Sequence, residues 1–132
     1  MNNILAGHTN SYHTYNLDEA LEGIAAAGFK YVELSAVRGW TEHVPLEATD
    51  AQLAEIQAKM DKLGLKASSL SGHSDLTSAG GVELGKKAVD LTQKLGLSIM
   101  CTAIGGHYSE DENKAAFMGH IQDLADYACA RA

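Results

Sequence analysis

Residues 63–73 are Leu-Gly-Leu-Lys-Ala-Ser-Ser-Leu-Ser-Gly-His, and this pattern occurs again later in the chain. Residues 95–107 repeat it as Leu-Gly-Leu-Ser-Ile-Met-Cys-Thr-Ala-Ile-Gly-Gly-His. Residues 4–8, Ile-Leu-Ala-Gly-His, match only its end. Each full copy has the order expected for the end of a helix, a glycine, a short apolar run and a polar side chain. The run is short enough for a strand, so each copy predicts a helix followed by a strand.

A further copy lies between residues 4–8 and residues 63–73 and ends differently. It begins at Ala27-Gly28-Phe29 and places Glu33 and Ser35 where the other copies carry their histidine. Gly28, Gly64 and Gly96 are separated by 36 and 32 residues. A recurrence at this distance is typical of proteins built from repeated supersecondary units.

Composition limits the classes of protein that the chain can represent. Its 132 residues allow one domain, residues 1–132, and its net charge of −7 argues against binding to a phosphate backbone. No apolar run is long enough to span a bilayer, and the N-terminus lacks the features of a signal peptide. Cys101 and Cys129 show no disulfide-framework spacing. We therefore expect a cytoplasmic protein without nucleic-acid or membrane partners.

Strands and helices are predicted to alternate along the whole chain. The strand candidates are residues 4–6, 31–36, 66–71 and 97–104, and each is followed by a segment with helical periodicity. The longest connection, residues 37–48, follows the second strand. Such alternation predicts an α/β fold with a parallel sheet and right-handed crossovers. Two architectures fit: a small open doubly wound sheet, or four βα units that form half of a (βα)8 TIM barrel.

Polar side chains recur at the ends of the predicted strands. His8, His73 and His107 each follow a glycine at a strand end, and Glu33 lies near the same end of the second strand. The carboxyl ends of parallel strands meet at one edge, so these groups are predicted to share a rim. They are suited to binding a metal or moving protons. The alternative is that Gly-His recurs through ancestral duplication and the histidines only cap strand ends.

Several loop residues are weaker candidates. Asp75 could orient the His73 imidazole or simply bond to local N–H groups. Trp40 could cover a sugar ring or anchor its loop, and Arg38 could pair with an anion or remain solvated. The Gly-Gly pair 80–81 precedes a helix without an evident cap, so free N–H groups there could receive a phosphate.

Three stretches carry a resemblance to a known family. Residues 28–34, 71–76 and 103–108 resemble the xylose isomerase-like barrel superfamily, which groups sugar-phosphate isomerases and epimerases with AP endonuclease family 2. The resemblance covers essentially the whole chain and corresponds to the first four of eight strand–helix units. It implies the barrel alternative, with parallel strands inside and helices outside.

The resemblance also implies a chemistry, namely isomerisation or epimerisation by proton transfer next to the carbonyl of a sugar or sugar phosphate. A divalent metal such as Zn, Mn or Mg would assist it, and His73 and His107 correspond to metal-ligand positions. The substrate-binding residues expected from the resemblance and the loops together are His8, Glu33, Arg38, Trp40 and Asp75. The principal ligands usually come from strands five to eight, which this chain lacks, so it is expected to be incomplete or inactive alone.

Three functions therefore remain open. The first is a sugar isomerase or epimerase. The second is a non-catalytic truncated or split half-barrel that self-associates or binds another chain. The third is an AP endonuclease-like hydrolase, which the acidic charge disfavours. A half-barrel is expected to leave an apolar face uncovered, at a cost of roughly 10 kcal/mol, so a homodimer that completes the barrel is predicted.

Overall fold

The computed structural model describes residues 3–106, 109 and 111–131. The described residues form four α-helices, five strands and one short 3-10 helix, Thr9–Tyr12. The elements are β1 Ala6–His8, α1 Leu17–Ala26, β2 Tyr31–Val37, β3 Thr41–Glu42, α2 Asp50–Leu63, β4 Lys66–Ser71, α3 Ala79–Lys94, β5 Met100–Cys101 and α4 Asp111–Cys129.

The main sheet is parallel, as predicted. Its strand order is β1-β2-β4-β5, so each strand lies beside the next repeat unit. The register aligns His8 with Glu33 and Glu33 with Ser69. The short strand β3 was not predicted. It pairs antiparallel with the end of β2, through Ala36 with Glu42, and lengthens the sheet at the carboxyl end of β2.

Two of the predicted strands had the wrong boundaries. The first strand is Ala6–His8 rather than residues 4–6, because pairing with β2 begins at Ala6 opposite Tyr31. The last is Met100–Cys101 rather than residues 97–104. At Leu97 the backbone N–H still bonds back to the preceding helix, so that residue does not join the ladder. Apolarity marked both runs as buried strands, but backbone pairing decides where a strand starts and stops.

Side-chain caps define the starts of the helices. The Asn16 side chain accepts a hydrogen bond from Glu19 N–H, and the Glu19 carboxylate accepts one from Asn16 N–H, which confirms a capping box at α1. Thr49 and Gln52 form the same arrangement at α2. The prediction of an uncapped α3 was wrong, because the Ser78 hydroxyl accepts a hydrogen bond from Gly81 N–H.

The three recurring glycines end their helices in the same way. Gly28, Gly64 and Gly96 have φ values of 90°, 68° and 67°. L-residues rarely adopt this left-handed conformation, whereas glycine does so without steric cost. The repeated glycine in the sequence is therefore the helix stop that turns the chain into the next strand.

The core lies between the sheet and α1, α2 and α3. Val32, Leu34 and Ala36 are almost fully buried there, and Leu70 of β4 joins them. A smaller cluster around Leu124 packs α4 against α3. None of the helices in the described part of the chain is both long and apolar enough to cross a bilayer.

The opposite face of the sheet is more polar than expected. Strand alternation places Glu33 and Ser35 there, on the other side from Val32 and Leu34. Ser69 and Cys101 reach the same face, because both hydrogen bond to Glu33. The prediction that the half-barrel leaves an apolar face uncovered was therefore wrong, because this face carries Glu33 and the side chains that hydrogen bond to it. Four of the large apolar residues that are exposed lie beside the two edge strands instead: Ile4, Leu5, Ile99 and Ile104.

Candidate functional site

A carboxylate at the centre of the sheet connects all four parallel strands. Glu33 of β2 lies 3.5 Å from His8 of β1, measured from Oε1 to Nε2. Its other oxygen, Oε2, accepts a hydrogen bond from Ser69 of β4 at 2.6 Å and from Cys101 of β5 at 3.1 Å. The parallel register brings these side chains together, since His8, Glu33 and Ser69 occupy paired positions. We call these four residues the Glu33 cluster.

The Glu33 cluster stabilises the ionised carboxylate. Burial on its own would raise the pKa of Glu33, but the hydrogen bonds from Ser69 and Cys101 lower it, and nearby His8 and His73 lower it further. The net pKa shift is downward. Glu33 is thus a charged hydrogen-bond acceptor at neutral pH and a weak base.

His8 beside it is neutral at pH 7. Burial lowers its pKa, the adjacent Glu33 carboxylate partly opposes this, and His73 and His43 lower the pKa further. Nε2 of His8 is buried without a hydrogen-bond partner among the described residues. An unprotonated imidazole whose nitrogen has no fixed partner can accept or pass on a proton.

The Cys101 thiol serves as a donor rather than as a nucleophile. Burial, the hydrogen bond to Glu33 and the charge of that carboxylate together raise the pKa of Cys101 to about 11. The thiolate is the reactive form of cysteine, and at this pKa it is scarce at neutral pH. Cys101 therefore helps to hold Glu33.

The glycines of two Gly-His pairs have a packing role. A Cβ placed on Gly7 would lie 2.7 Å from Ile24 of α1, and one on Gly72 would lie 2.5 Å from Ala88 of α3. The helix after each strand thus packs directly on the glycine. The histidine that follows each glycine is left at the strand end.

His73 lies near the Glu33 cluster. It is exposed, and its charge acts on the pKa of both His8 and Glu33. His107 lies outside the described residues. Within the described ranges, no three His, Cys, Asp or Glu side chains are placed to hold a metal ion. These residues alone do not fit a metal centre, which needs about three protein ligands.

Arg38 and Asp75 have partners within their own loops. The Arg38 guanidinium pairs with Glu42, at 3.0 Å, and with Glu47, which also binds Lys87 at 2.7 Å. Asp75 Oδ1 accepts hydrogen bonds from the backbone N–H and the hydroxyl of Thr77. Arg38 is thus neutralised by two carboxylates. Asp75 thus bonds to its own loop, which was one of the two predicted alternatives, and shows no hydrogen bond to His73.

Trp40 belongs to an aromatic surface formed by the loops after β1 and β2. It is 64% exposed, and its ring stacks on His13 with centroids 5.0 Å apart and planes within 4°. Tyr12 and Tyr15 make an edge contact in the same loop as His13. We call Tyr12, His13, Tyr15 and Trp40 the aromatic cluster.

Sequence reasoning missed the two residues that hold Glu33. Ser69 and Cys101 were not candidates, because a serine in a weak strand and a mid-strand cysteine are ordinary core residues. The signal that could have found them is strand parity. Aligning the repeat copies as neighbouring strands places both residues on the same face as Glu33.

Known proteins are similar to this chain over about half of their own length. No protein-family model matches the chain. An L-ribulose 3-epimerase from Methylomonas sp. (strain DH-1) is 34% identical over 122 residues, which cover 83% of this chain and 41% of that protein.

Solved structures show the same fold. A D-psicose 3-epimerase from Clostridium cellulolyticum H10, in complex with D-tagatose, superposes with a TM-score of 0.63 at 18% identity over 89% of this chain and 44% of its own. A xylose isomerase domain protein from Planctomyces limnophilus superposes with a TM-score of 0.61 at 19% identity, over 84% of this chain and 45% of its own. For a sugar phosphate isomerase/epimerase from Parabacteroides distasonis ATCC 8503 the TM-score is 0.63 at 16% identity, over 98% of this chain and 49% of its own. The chain therefore has the fold of the N-terminal half of a xylose isomerase-like TIM barrel, and over that half it is similar to sugar isomerases and epimerases.

Proposed function

We propose that this chain supplies the sugar-binding half of an isomerase or epimerase site that moves a proton next to a sugar carbonyl. The observation that carries the proposal is the Glu33 cluster, in which a fixed carboxylate lies 3.5 Å from a neutral imidazole at the rim of the sheet. The 34% identity to an L-ribulose 3-epimerase supports the same class of reaction.

The two groups suit different tasks. Isomerisation and epimerisation require a base that takes a proton from carbon and an acid that returns it, and such groups work best with a pKa near the operating pH. The pKa of Glu33 is lowered, so this carboxylate is better suited to accept hydrogen bonds from sugar hydroxyls. His8 has a pKa below its ordinary value of 6.5 and is neutral, so it is the better proton carrier.

A free sugar fits the site better than a sugar phosphate. Arg38 is already neutralised by Glu42 and Glu47, and the start of α3 is capped by Ser78. Both groups that could have received a phosphate therefore have partners. Trp40 offers an exposed ring on which the apolar face of a sugar can stack.

Completion of the site requires groups beyond the described residues. The chain spans 41% to 49% of the proteins that it matches, so it accounts for about half of such a barrel. A divalent ion would take His73 and His107 together with at least one further ligand. A second copy of the chain is the simplest source of the other half. The proposed location of the protein is the cytoplasm.

Binding of free ketoses tests the proposal directly. Calorimetric titration with L-ribulose and D-psicose should show binding, and their phosphates should bind more weakly. Glu33→Gln should weaken binding about tenfold or more, because a hydrogen bond to a charged group is lost. Glu55→Gln, on the exposed side of α2, is the matched control and should have no effect. Equal binding by the Glu33→Gln variant, or tighter binding of the phosphates, would contradict the proposal.

A second candidate function is sugar binding without turnover. The observation that favours it is the coverage, since the chain has about half the length of its relatives. NMR spectra of a ketose incubated with the protein and Mn²⁺ distinguish the two. Appearance of the 3-epimer or of an aldose supports an active assembly, and binding without conversion supports the second candidate.

A further inference from the structure

Both edges of the parallel sheet are open in the described part of the chain, and exposed apolar residues lie beside them. β1 forms one edge and β5 the other. Four of the seven large apolar residues that are exposed flank these two strands: Ile4 at 61%, Leu5 at 76%, Ile99 at 55% and Ile104 at 36%. Unpaired strand edges with apolar neighbours favour pairing with another strand.

The free edge of β5 carries unused backbone groups. The carbonyls of Ile99 and Cys101 accept hydrogen bonds from Leu70 and Gly72, so they point toward β4. In a parallel ladder the intervening residues present their N–H and C=O groups to the other side. Met100 and Thr102 therefore present theirs to the open edge.

An apolar cleft of about 630 Å³ lies next to this edge. It runs between α3 and α4 above β5, and its apolar wall consists of Leu97, Met100, Ile121, Leu124, Ala125 and Ala128. The cleft is large enough for several side chains. A strand that paired with β5 would place alternate side chains in it, under α4.

Leu5, beside the opposite edge, lies on the side of its strand that would face this cleft. Gly7 faces α1, because a Cβ there would meet Ile24. Two residues earlier, Leu5 belongs to the same helix-facing side if the strand is extended. No helix covers it in the described part of the chain, and it is 76% exposed.

We infer that a second copy of this chain closes the barrel, with β1 of each copy pairing in parallel with β5 of the other and Leu5 occupying the cleft between α3 and α4. A two-fold axis along the barrel makes the two contacts identical and leaves no free edge. Two copies also supply about the length of one relative, since one copy spans 41% to 49%. The shared rim of such a dimer would hold two Glu33 clusters. Only the use of these clusters as one sugar site rests on the proposed function.

Mass in solution tests the contact without any sugar. Light scattering after gel filtration should give twice the chain mass of 14.0 kDa. Leu5→Asp should halve the mass and raise the dimer Kd roughly a hundredfold or more, because the lost contact occurs twice. Met118→Asp is the matched control, since Met118 is 60% exposed on α4 but does not line the cleft. A monomer for the unmodified chain, or an unchanged dimer for Leu5→Asp, would overturn the inference.

Cross-linking tests the register separately. In a Cys129→Ser background, Leu5→Cys combined with Ala125→Cys should form an intermolecular disulfide on oxidation. Leu5→Cys combined with Met118→Cys should not. A dimer that binds no sugar would disprove the proposed function and leave this contact standing, whereas a monomer that binds sugar would do the reverse.

Discussion

Glu33 shows how a single residue depends on its neighbours. A half-buried carboxylate on a sheet face would normally have a raised pKa, because burial disfavours charge. Here Ser69 and Cys101 donate to one oxygen and His8 lies by the other, so the pKa is lowered instead. The residue is held charged and in one orientation, as a binding group must be.

The coupling between His8 and Glu33 can be measured by NMR. The His8 ring should titrate below its ordinary pKa of 6.5, because burial dominates. Glu33→Gln should lower the His8 pKa further, since the carboxylate raises it. The ring signals of His120, which lies in α4, are the internal reference for the substitution. A rise in the His8 pKa in the Glu33→Gln variant would show that the pair does not interact as described.

The thiol of Cys101 should be much less reactive than its exposure suggests. With a pKa of about 11 it should be alkylated far more slowly at pH 8 than Cys129, which is exposed. Glu33→Gln should speed the reaction of Cys101 several-fold, because loss of the carboxylate charge lowers the thiol pKa. Mass spectrometry of alkylated peptides measures both sites in one sample. Equal rates at the two cysteines would be incompatible with the hydrogen bond.

At the scale of an element, each strand–helix unit is built on close contact. α1 packs on Gly7 of β1, and α3 packs on Gly72 of β4, at distances that leave no space for a Cβ. The contact draws each helix onto its strand. It also explains why glycine precedes the rim histidine in both units without any need for a ligand at that position.

Substitution of Gly72 tests this packing. Gly72→Ala should destabilise the protein by about 1–3 kcal/mol, because the new methyl group would overlap the Cβ of Ala88. Gly80→Ala is the control, since nothing lies within 4 Å of that position in α3. It should be neutral or stabilise by up to about 1 kcal/mol, because alanine favours helix. Urea unfolding measures both, and equal stability of the two variants would disprove the packing role.

For the whole molecule, the polar face of the sheet explains how a half-barrel can hold a site at all. The interior of a closed barrel is normally filled by layers of side chains. In this chain the corresponding face carries the Glu33 cluster, and its core lies on the helical side. The half therefore has its own core, and part of the apolar surface that stays exposed lies beside the two edge strands.

Stability should fall on acidification. The pKa values of His8 and Glu33 are both lowered in the folded chain, so the unfolded chain binds more protons and stability rises with pH. The contribution of His8 is complete above its ordinary pKa of 6.5 and is lost as the pH falls through its lower folded pKa. The contribution of Glu33 is complete above its ordinary pKa of 4.5 and is lost as the pH falls through its lower folded pKa. Urea midpoints between pH 8 and pH 4 measure this, and His8→Asn should remove the upper part of the fall.

Metal affinity should be low for this chain alone. The described residues offer no group of three ligands, so Mn²⁺ or Zn²⁺ should bind only weakly in calorimetry. His73→Ala should weaken that binding further, and His43→Ala should not. Tight binding that survives His73→Ala would show that the ligands lie elsewhere.

The sequence by itself determined the repeat, the helix ends and the parallel order of the strands. These depend on local rules: glycine adopts the left-handed turn, capping residues start helices, and short apolar runs between helices form parallel strands. The closeness of His8 and Glu33 was also predictable, because the carboxyl ends of parallel strands lie at one edge of the sheet.

Only the tertiary structure decided which neighbours hold Glu33 and which loop residues are already paired. Ser69 and Cys101 are 36 and 68 residues away from it, and a hydrogen bond across that distance depends on strand register and side-chain parity. Arg38 was a candidate anion site until its pairing with Glu42 and Glu47 was known. Side-chain chemistry can be identified from composition and spacing, but whether a group is free to act depends on the partners that folding brings to it.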